Sequence, residues 1–226
     1  MGLNREGARA ANSHTGALAG SADIWQAVAR QSGILSVHGF EAFLDAMMAF
    51  SLLPDNVGRR MAIISGPGGL AVSAAEACSA AGLAMANIGA DTRAELAGLM
   101  PPTGTSTANP IDVGLTASLD VEIYIVSARR TAMDSGVDAV VVIGIGLDQE
   151  TNERYTRGIL DVQKTTRKPF IMVGIPGFGE EIISRFCNGG IPFFDSAERA
   201  MQTYALVCRY QEWRRRVGRR PTPDVN

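Results

Sequence analysis

Histidine is nearly absent from this chain, His14 and His38 being the only two, and the three cysteines, Cys78, Cys187 and Cys208, stand far apart. No ligand set at metal spacing can be assembled from them, so no metal site is expected. Aromatic residues make up 6% of the sequence, and the formal net charge is −2. With few stacking platforms and no basic excess, there is no reason to expect a nucleic-acid partner. Every apolar run falls short of a bilayer span, and the first nine residues lack the apolar centre of a signal peptide. No membrane partner is expected, and a cytoplasmic location, where dispersed thiols stay reduced, follows by default.

What the chain does hold is material for a core, with 46% of its 226 residues hydrophobic, and one stretch around which the rest can be placed. Met61-Ala-Ile-Ile64 is an apolar run too short for a helix and reads as a buried strand. Gly66-Pro-Gly-Gly69 breaks it, and an alanine-rich helix begins near Leu70. Glycine at such a junction lets backbone approach a ligand, while the first amides of the helix point outward at the positive end of its dipole. Gly66, Pro67, Gly68, Gly69 and Leu70 are therefore candidate phosphate-binding residues. The spacing fits neither the dinucleotide fingerprint nor the lysine-containing phosphate loop. From the residues alone, tight strand-to-helix packing explains the glycines equally well.

Ahead of this stretch, Asn12-Ser-His-Thr-Gly-Ala-Leu-Ala-Gly20 sets a histidine among small residues and reads as a ligand loop. Ser21 can cap a helix with Ile24, Trp25 and Val28 on one face, ending near Gly33. A short strand is expected at residues 34–37. A second helix then carries Phe40, Phe43, Leu44, Met47, Met48 and Phe50 as a packing stripe and stops before Pro54. Two apolar helical faces cannot close a core, so residues 1–55 must dock onto the next domain, another copy or a partner, or else be the C-terminal part of an incomplete α/β domain. Residues 53–58 have linker composition.

Beyond it, strand-like runs recur at residues 61–64, 83–88, 139–145, 170–175 and 191–194, with helical patterns in most of the intervals. The expected fold is α/β, a doubly wound parallel sheet of flavodoxin-like type over residues 56–213, with residues 214–226 a basic tail or truncated linker. Ligands of such a sheet sit at the carboxyl ends of its strands, beside the glycine turn and the loops at residues 109–114, 144–146 and 176–179. Asp112, Asp148 and Glu180 are the nearest titratable groups, and Asp112 and Asp148 read as caps. Asp195-Ser-Ala-Glu198 reads as a capping box opening a last helix that buries Ala197, Met201, Tyr204, Val207 and Cys208.

Four motifs resemble those of the NDP-forming acyl-CoA synthetases, a family that includes ADP-forming acetate–CoA ligases and, more distantly, succinyl-CoA synthetase. They are Glu6-Gly-Ala-Arg-Ala-Ala-Asn-Ser-His-Thr-Gly-Ala-Leu-Ala-Gly20, Ser65-Gly-Pro-Gly-Gly-Leu-Ala71, Ala108-Asn-Pro-Ile-Asp-Val-Gly114 and Gly190-Ile-Pro-Phe-Phe-Asp-Ser-Ala-Glu-Arg-Ala200. The first is the most specific, because its histidine is the family's phosphorylated residue. The resemblance implies a phosphoryl-carrying His14, a cradle for the phosphohistidine at the Gly66–Gly69 helix N-terminus, and supporting roles for Ser13, Thr15, Gly16, Asn109 and Asp112. It implies a reversible reaction in which acyl-CoA, ADP and phosphate give acid, CoA and ATP. A neutral imidazole suits that relay. His38 has no such context and is expected to be structural or exposed.

The family's CoA-binding and ATP-grasp domains do not appear in this sequence and are the implied partners, within an oligomer. CoA, ADP or ATP, and Mg2+ are expected in the complete enzyme, with no cofactor held tightly by this chain. The isolated chain is expected to lack full ligase activity. The competing expectation is a non-catalytic phosphate- or nucleotide-binding or assembly module derived from such an enzyme. Flavin electron transfer ranks lower, since fold alone does not fix function and the loops lack aromatic residues to sandwich a flavin ring.

Overall fold

Runs that are apolar on both faces become the middle of a sheet. In a computed structural model, which describes residues 5–15, 21–114, 120–175 and 177–218, the strands are β1 (Arg60–Ser65), β2 (Ala84–Met85), β3 (Ile111–Asp112), β4 (Ala139–Ile145), β5 (Phe170–Ile175) and β6 (Phe193–Phe194). All of their pairings are parallel. The order is β2-β1-β4-β5-β6, with β3 beside the C-terminal end of β1. The chain winds first to one edge and then back across β1 to the other, the doubly wound flavodoxin-like arrangement, so the winding reverses between β1 and β4.

Along β1, Met61 and Ile63 face one helical layer and Ala62 and Ile64 the other, all four fully buried, which is why the run shows no alternation. One layer comprises α6 (Val121–Met133), α7 (Gln149–Lys164) and α8 (Glu180–Asn188), with Leu96 of α5 (Ala90–Ala97). The other comprises α4 (Gly68–Ala80) and α9 (Ala197–Val217), with Ala49 of α3 (Phe40–Leu52). Burial pushes the Cys78 and Cys208 thiols in this second layer up to about 11, so they remain protonated. Helices α1 (Arg5–Thr15) and α2 (Ala22–Ser32) come first in the chain.

Several expectations need correction. Residues 12–15, read as loop, form the last turn of α1, because no glycine or proline interrupts the chain between Ala8 and Thr15 and alanine favours the helix. Residues 34–37 form no strand and pair with none of the six. The runs at 83–88 and 191–194 shorten to two-residue strands. The last helix is capped by Ser196, which accepts from the Arg199 amide, while Asp195 pairs with the Arg199 side chain instead. Residues 53–58, linker-like in composition, are pinned to α9: Gln211 binds Val57 N–H at 2.9 Å and Pro54 O at 2.8 Å, and the Tyr204 hydroxyl donates to Gly58 O at 2.9 Å.

The packing stripe of α3 is also largely uncovered. Its buried face is Asp45, Ala46 and Ala49, against α9 and its surroundings, whereas Phe40, Phe43, Leu44, Met47 and Phe50 are 38–75% exposed. Ile24, Trp25 and Val28 of α2 are exposed as well. Arg199 joins α3 to α9 through a bidentate pair with Asp45 at 2.8 and 2.9 Å and further bonds to Asp195 and Glu41. Asp45 is 6% exposed, so Arg199→Ala strands its charge. Because the arginine side chain retains partial solvent contact, the expected loss is about 2–3 kcal/mol, read from the urea midpoint.

Candidate functional site

The end of β1 delivers the chain into the glycine turn at the point where the winding reverses. Ser65 is fully buried; its hydroxyl donates to Pro67 O at 3.0 Å, and its carbonyl accepts from Val113 N–H at 2.9 Å, so the turn is tied to its own strand and to the β3 loop. Pro67 occupies the N-cap of α4 with φ −76° and supplies no side-chain bond. Its carbonyl accepts from the amides of Leu70 at 3.1 Å and Ala71 at 3.2 Å. The amides of Gly68 and Gly69 have no hydrogen-bond partner among the described residues. Two donors thus stand free at the positive end of a thirteen-residue helix, the arrangement that receives an anion. Leu70, a candidate from the sequence, has already committed its amide to Pro67.

The glycines divide between the two readings left open by the sequence. A side chain at Gly69 would meet nothing within 4 Å, so packing does not demand glycine there; the open space above the free amides does the work of access. At Gly68 an added Cβ would lie 2.8 Å from the Asp112 carboxylate, so this side chain borders the cradle. At the other two glycine loops packing wins: a Cβ on Gly146 would lie 2.0 Å from the Gly177 carbonyl carbon, which makes the loops after β4 and β5 mutual supports.

Asp112 bonds the Gly114 amide at 2.8 Å and borders a groove of about 480 Å³ together with Gly68, Ala71, Val72, Ser106 and Pro110. Asp148 caps α7 through the Thr151 amide and hydroxyl, at 3.0 and 2.6 Å, and those bonds, the hydroxyl's first, hold its carboxyl below the usual range. Asn109 is structural. Its Oδ1 accepts from Ile63 N–H at 2.9 Å, and its Nδ2 donates to Met61 O at 2.7 Å and Ala86 O at 3.0 Å.

His14 lies in the last turn of α1, and its side chain is outside the described set, as are Gly16 and the remainder of its motif to residue 20. Ser13 donates its hydroxyl to Ala10 O at 2.8 Å within α1, and Thr15 closes that helix. His38 lines a different cavity, of about 430 Å³, with Arg199 and Arg209. Among the described residues, no cluster of metal-ligating side chains occurs, and no helix is long and apolar enough to cross a membrane.

Comparison with known proteins adds to this geometry. The family described as "Succinyl-CoA ligase like flavodoxin domain" matches residues 1–50, the segment ahead of the sheet. The acetate–CoA ligase (ADP-forming) II alpha subunit of Pyrococcus furiosus is 32% identical over 212 residues, covering 91% of this chain and 46% of that protein. The 4-hydroxybutyrate–CoA ligase (ADP-forming) of Nitrosopumilus maritimus is 30% identical over 214 residues, 94% of this chain and 30% of that protein. The chain is a relative of the ADP-forming acid–CoA ligases. A solved structure of a Ca. Korarchaeum cryptofilum acetyl-coenzyme A synthetase, titled as dinucleotide forming and in complex with phosphate and ADP, superposes with a TM-score of 0.81 at 28% identity. That match covers 96% of this chain and 47% of the other, so the chain spans a third to a half of its ligase relatives. The resemblance carried by the four motifs and the expected α/β fold are both borne out.

Proposed function

We propose that the chain supplies the phosphoryl-carrying and phosphate-holding parts of an ADP-forming acid–CoA ligase, the whole enzyme converting acyl-CoA, ADP and phosphate to acid, CoA and ATP. The observation that supports this best is the pair of free amides at Gly68 and Gly69, at the reversal point of a sheet shared with ligase relatives. In this reading the neutral imidazole of His14 attacks the phosphorus of an acyl phosphate. The nitrogen lone pair forms the N–P bond, the bond from phosphorus to the acyl oxygen breaks, and the carboxylate leaves. The α4 amides offset the charge of the phosphohistidine while it waits. A β-phosphate oxygen of ADP then takes the phosphoryl group, and the N–P electrons return to His14.

CoA, ADP and Mg2+ are bound in this reading by a CoA-binding domain and an ATP-grasp domain, in an oligomeric cytoplasmic enzyme. The uncovered apolar face of α2 and α3 supports a second element: residues 1–55 are the C-terminal part of a flavodoxin-type α/β domain, and this face packs on its sheet. The test is to incubate the chain with a separately made ATP-grasp partner and MgATP and to measure acid-labile, base-stable phosphate on the chain. Label on His14 supports the carrier role. An unlabelled, folded chain with a partner of proven competence leaves the non-catalytic binding or assembly module as the correct reading.

A further inference from the structure

Along the seam between α2 and α9 lie two adjoining cavities. The first, of about 400 Å³, is lined by Ala29, Leu35, Leu206 and Trp213 and by three arginines, Arg30, Arg209 and Arg216. The second, of about 430 Å³, shares Ser36, Leu206 and Arg209 with it and reaches Gln202, Thr203 and the start of α3. Trp213 seats the end of α2 on α9: Gly33 has φ 71°, and a Cβ there would lie 2.5 Å from the indole ring.

The two cavities differ in charge. The first has three cations and no acid in its lining. None of the three arginines makes a hydrogen bond or ion pair among the described residues; Arg209 lies in the field of Glu212, but that carboxylate is bound by Arg59 at 2.6 and 2.9 Å. The helix dipole accounts for Arg30 and Arg216, each in the last turn of its helix, but not for Arg209 in mid-helix. In the second cavity both acids, Glu41 and Asp45, are paired with Arg199. Thr203 in its wall is only 7% exposed, and its hydroxyl makes no hydrogen bond among the described residues. A valine would fill the same space, and a hydroxyl left unpaired at such depth weakens a fold, so packing gives no reason for it.

We propose that the joined cavities bind a nucleoside polyphosphate, its phosphates on Arg30, Arg209 and Arg216 and its uncharged sugar and base beside Ser36, Gln202 and Thr203. Arginine forks pair bidentately with phosphate oxygens. Arg209 and Arg216 stand two turns apart on α9, about 10 Å along its axis, so a chain of phosphates suits them better than a single one. Each cavity has the size of a small-molecule site. The site shares no lining residue with the groove at Gly68 and does not depend on the reading of the glycine turn. It also uses a different face of α2 from Ile24, Trp25 and Val28, so a sheet packed on that apolar face leaves it open.

The test titrates the full chain with ATP and, separately, with inorganic tripolyphosphate, both without Mg2+. Trp25→Phe leaves Trp213 as the only tryptophan, whose emission reports on the first cavity, and the backbone amide resonances of Ser36 and Thr203 report on the second. ATP is expected to shift all three signals. Arg209→Gln is expected to weaken both ligands about tenfold, the scale of one hydrogen bond to a charged group. Thr203→Val is expected to weaken ATP about fivefold, the scale of a neutral hydrogen bond, to leave tripolyphosphate unchanged and to melt no lower than the wild type. Arg215→Gln, at the same helix end but outside both cavities, is expected to bind ATP as the wild type does. Signals that do not respond to ATP overturn the proposal, whatever the Gly68 and Gly69 amides do with phosphate. A loss in Arg215→Gln equal to that in Arg209→Gln marks diffuse attraction to a basic helix end and overturns the site. Wild-type affinity for ATP in Thr203→Val, or an equal loss of tripolyphosphate, overturns the placing of the nucleoside and with it the proposed ligand.

Discussion

Phosphate labelling is expected to vanish in His14→Ala, by a factor of about a thousand or more, the scale on which removal of a nucleophile acts. Alanine at the end of α1 favours the helix, so the variant should fold as the wild type does. The turn is built from other residues, tied through Ser65, Pro67 and Val113, so phosphate binding at Gly68 and Gly69 should persist. Loss of label with phosphate binding retained separates the carrier from the cradle. His38 lies with Arg199 and Arg209 in another cavity and offers no substitute. Label of wild-type intensity on His14→Ala would remove His14 from the mechanism.

Asn109→Ala is expected to cost about 3 kcal/mol, and Asn109→Asp more, read from urea midpoints. The side chain fills a gap along the edge of β1. Beside its first residues runs β2, pairing with Arg60 and Met61, and beside its last runs β3, pairing with Ile64 and Ser65. Between them the Asn109 amide stands in for a strand, accepting from Ile63 N–H and donating to Met61 O and Ala86 O. Alanine leaves these three backbone groups without the bonds Asn109 supplies. Aspartate replaces the donor by an oxygen facing two carbonyls, adding repulsion to the loss. Because β1 ends in the glycine turn, weaker phosphate binding should accompany the lost stability. An Asn109→Ala midpoint close to that of the wild type would show that water or a shifted backbone takes over these bonds.

The long strands β4 and β5 were legible because their residues are apolar on both faces, and a run of that kind has few alternatives to a buried parallel sheet. The same signal overstated residues 83–88 and 191–194, where β2 and β6 keep only two residues each. Strand length at an edge depends on how long the neighbour stays alongside, and on the β2 side Asn109 takes over. The two-residue β3 had no signal of its own. The glycine turn was legible as a junction, and the caps at Asp148 and near Asp195 were legible to within one residue, because capping is a local bond.

By itself the sequence determined the layered α/β class, the position of the strand–turn–helix junction, and the kinship with acid–CoA ligases, since each is written in residues close along the chain. Only the tertiary structure decided which glycines leave room for a ligand and which merely let two loops meet, that Asn109 is a stitch in the sheet, and that the apolar stripe of α3 faces outward while Asp45 turns in to Arg199. The reason is physical: helix and strand periodicity fix which residues share a face, but what covers that face, and which donors remain unspent, depends on groups from distant parts of the chain.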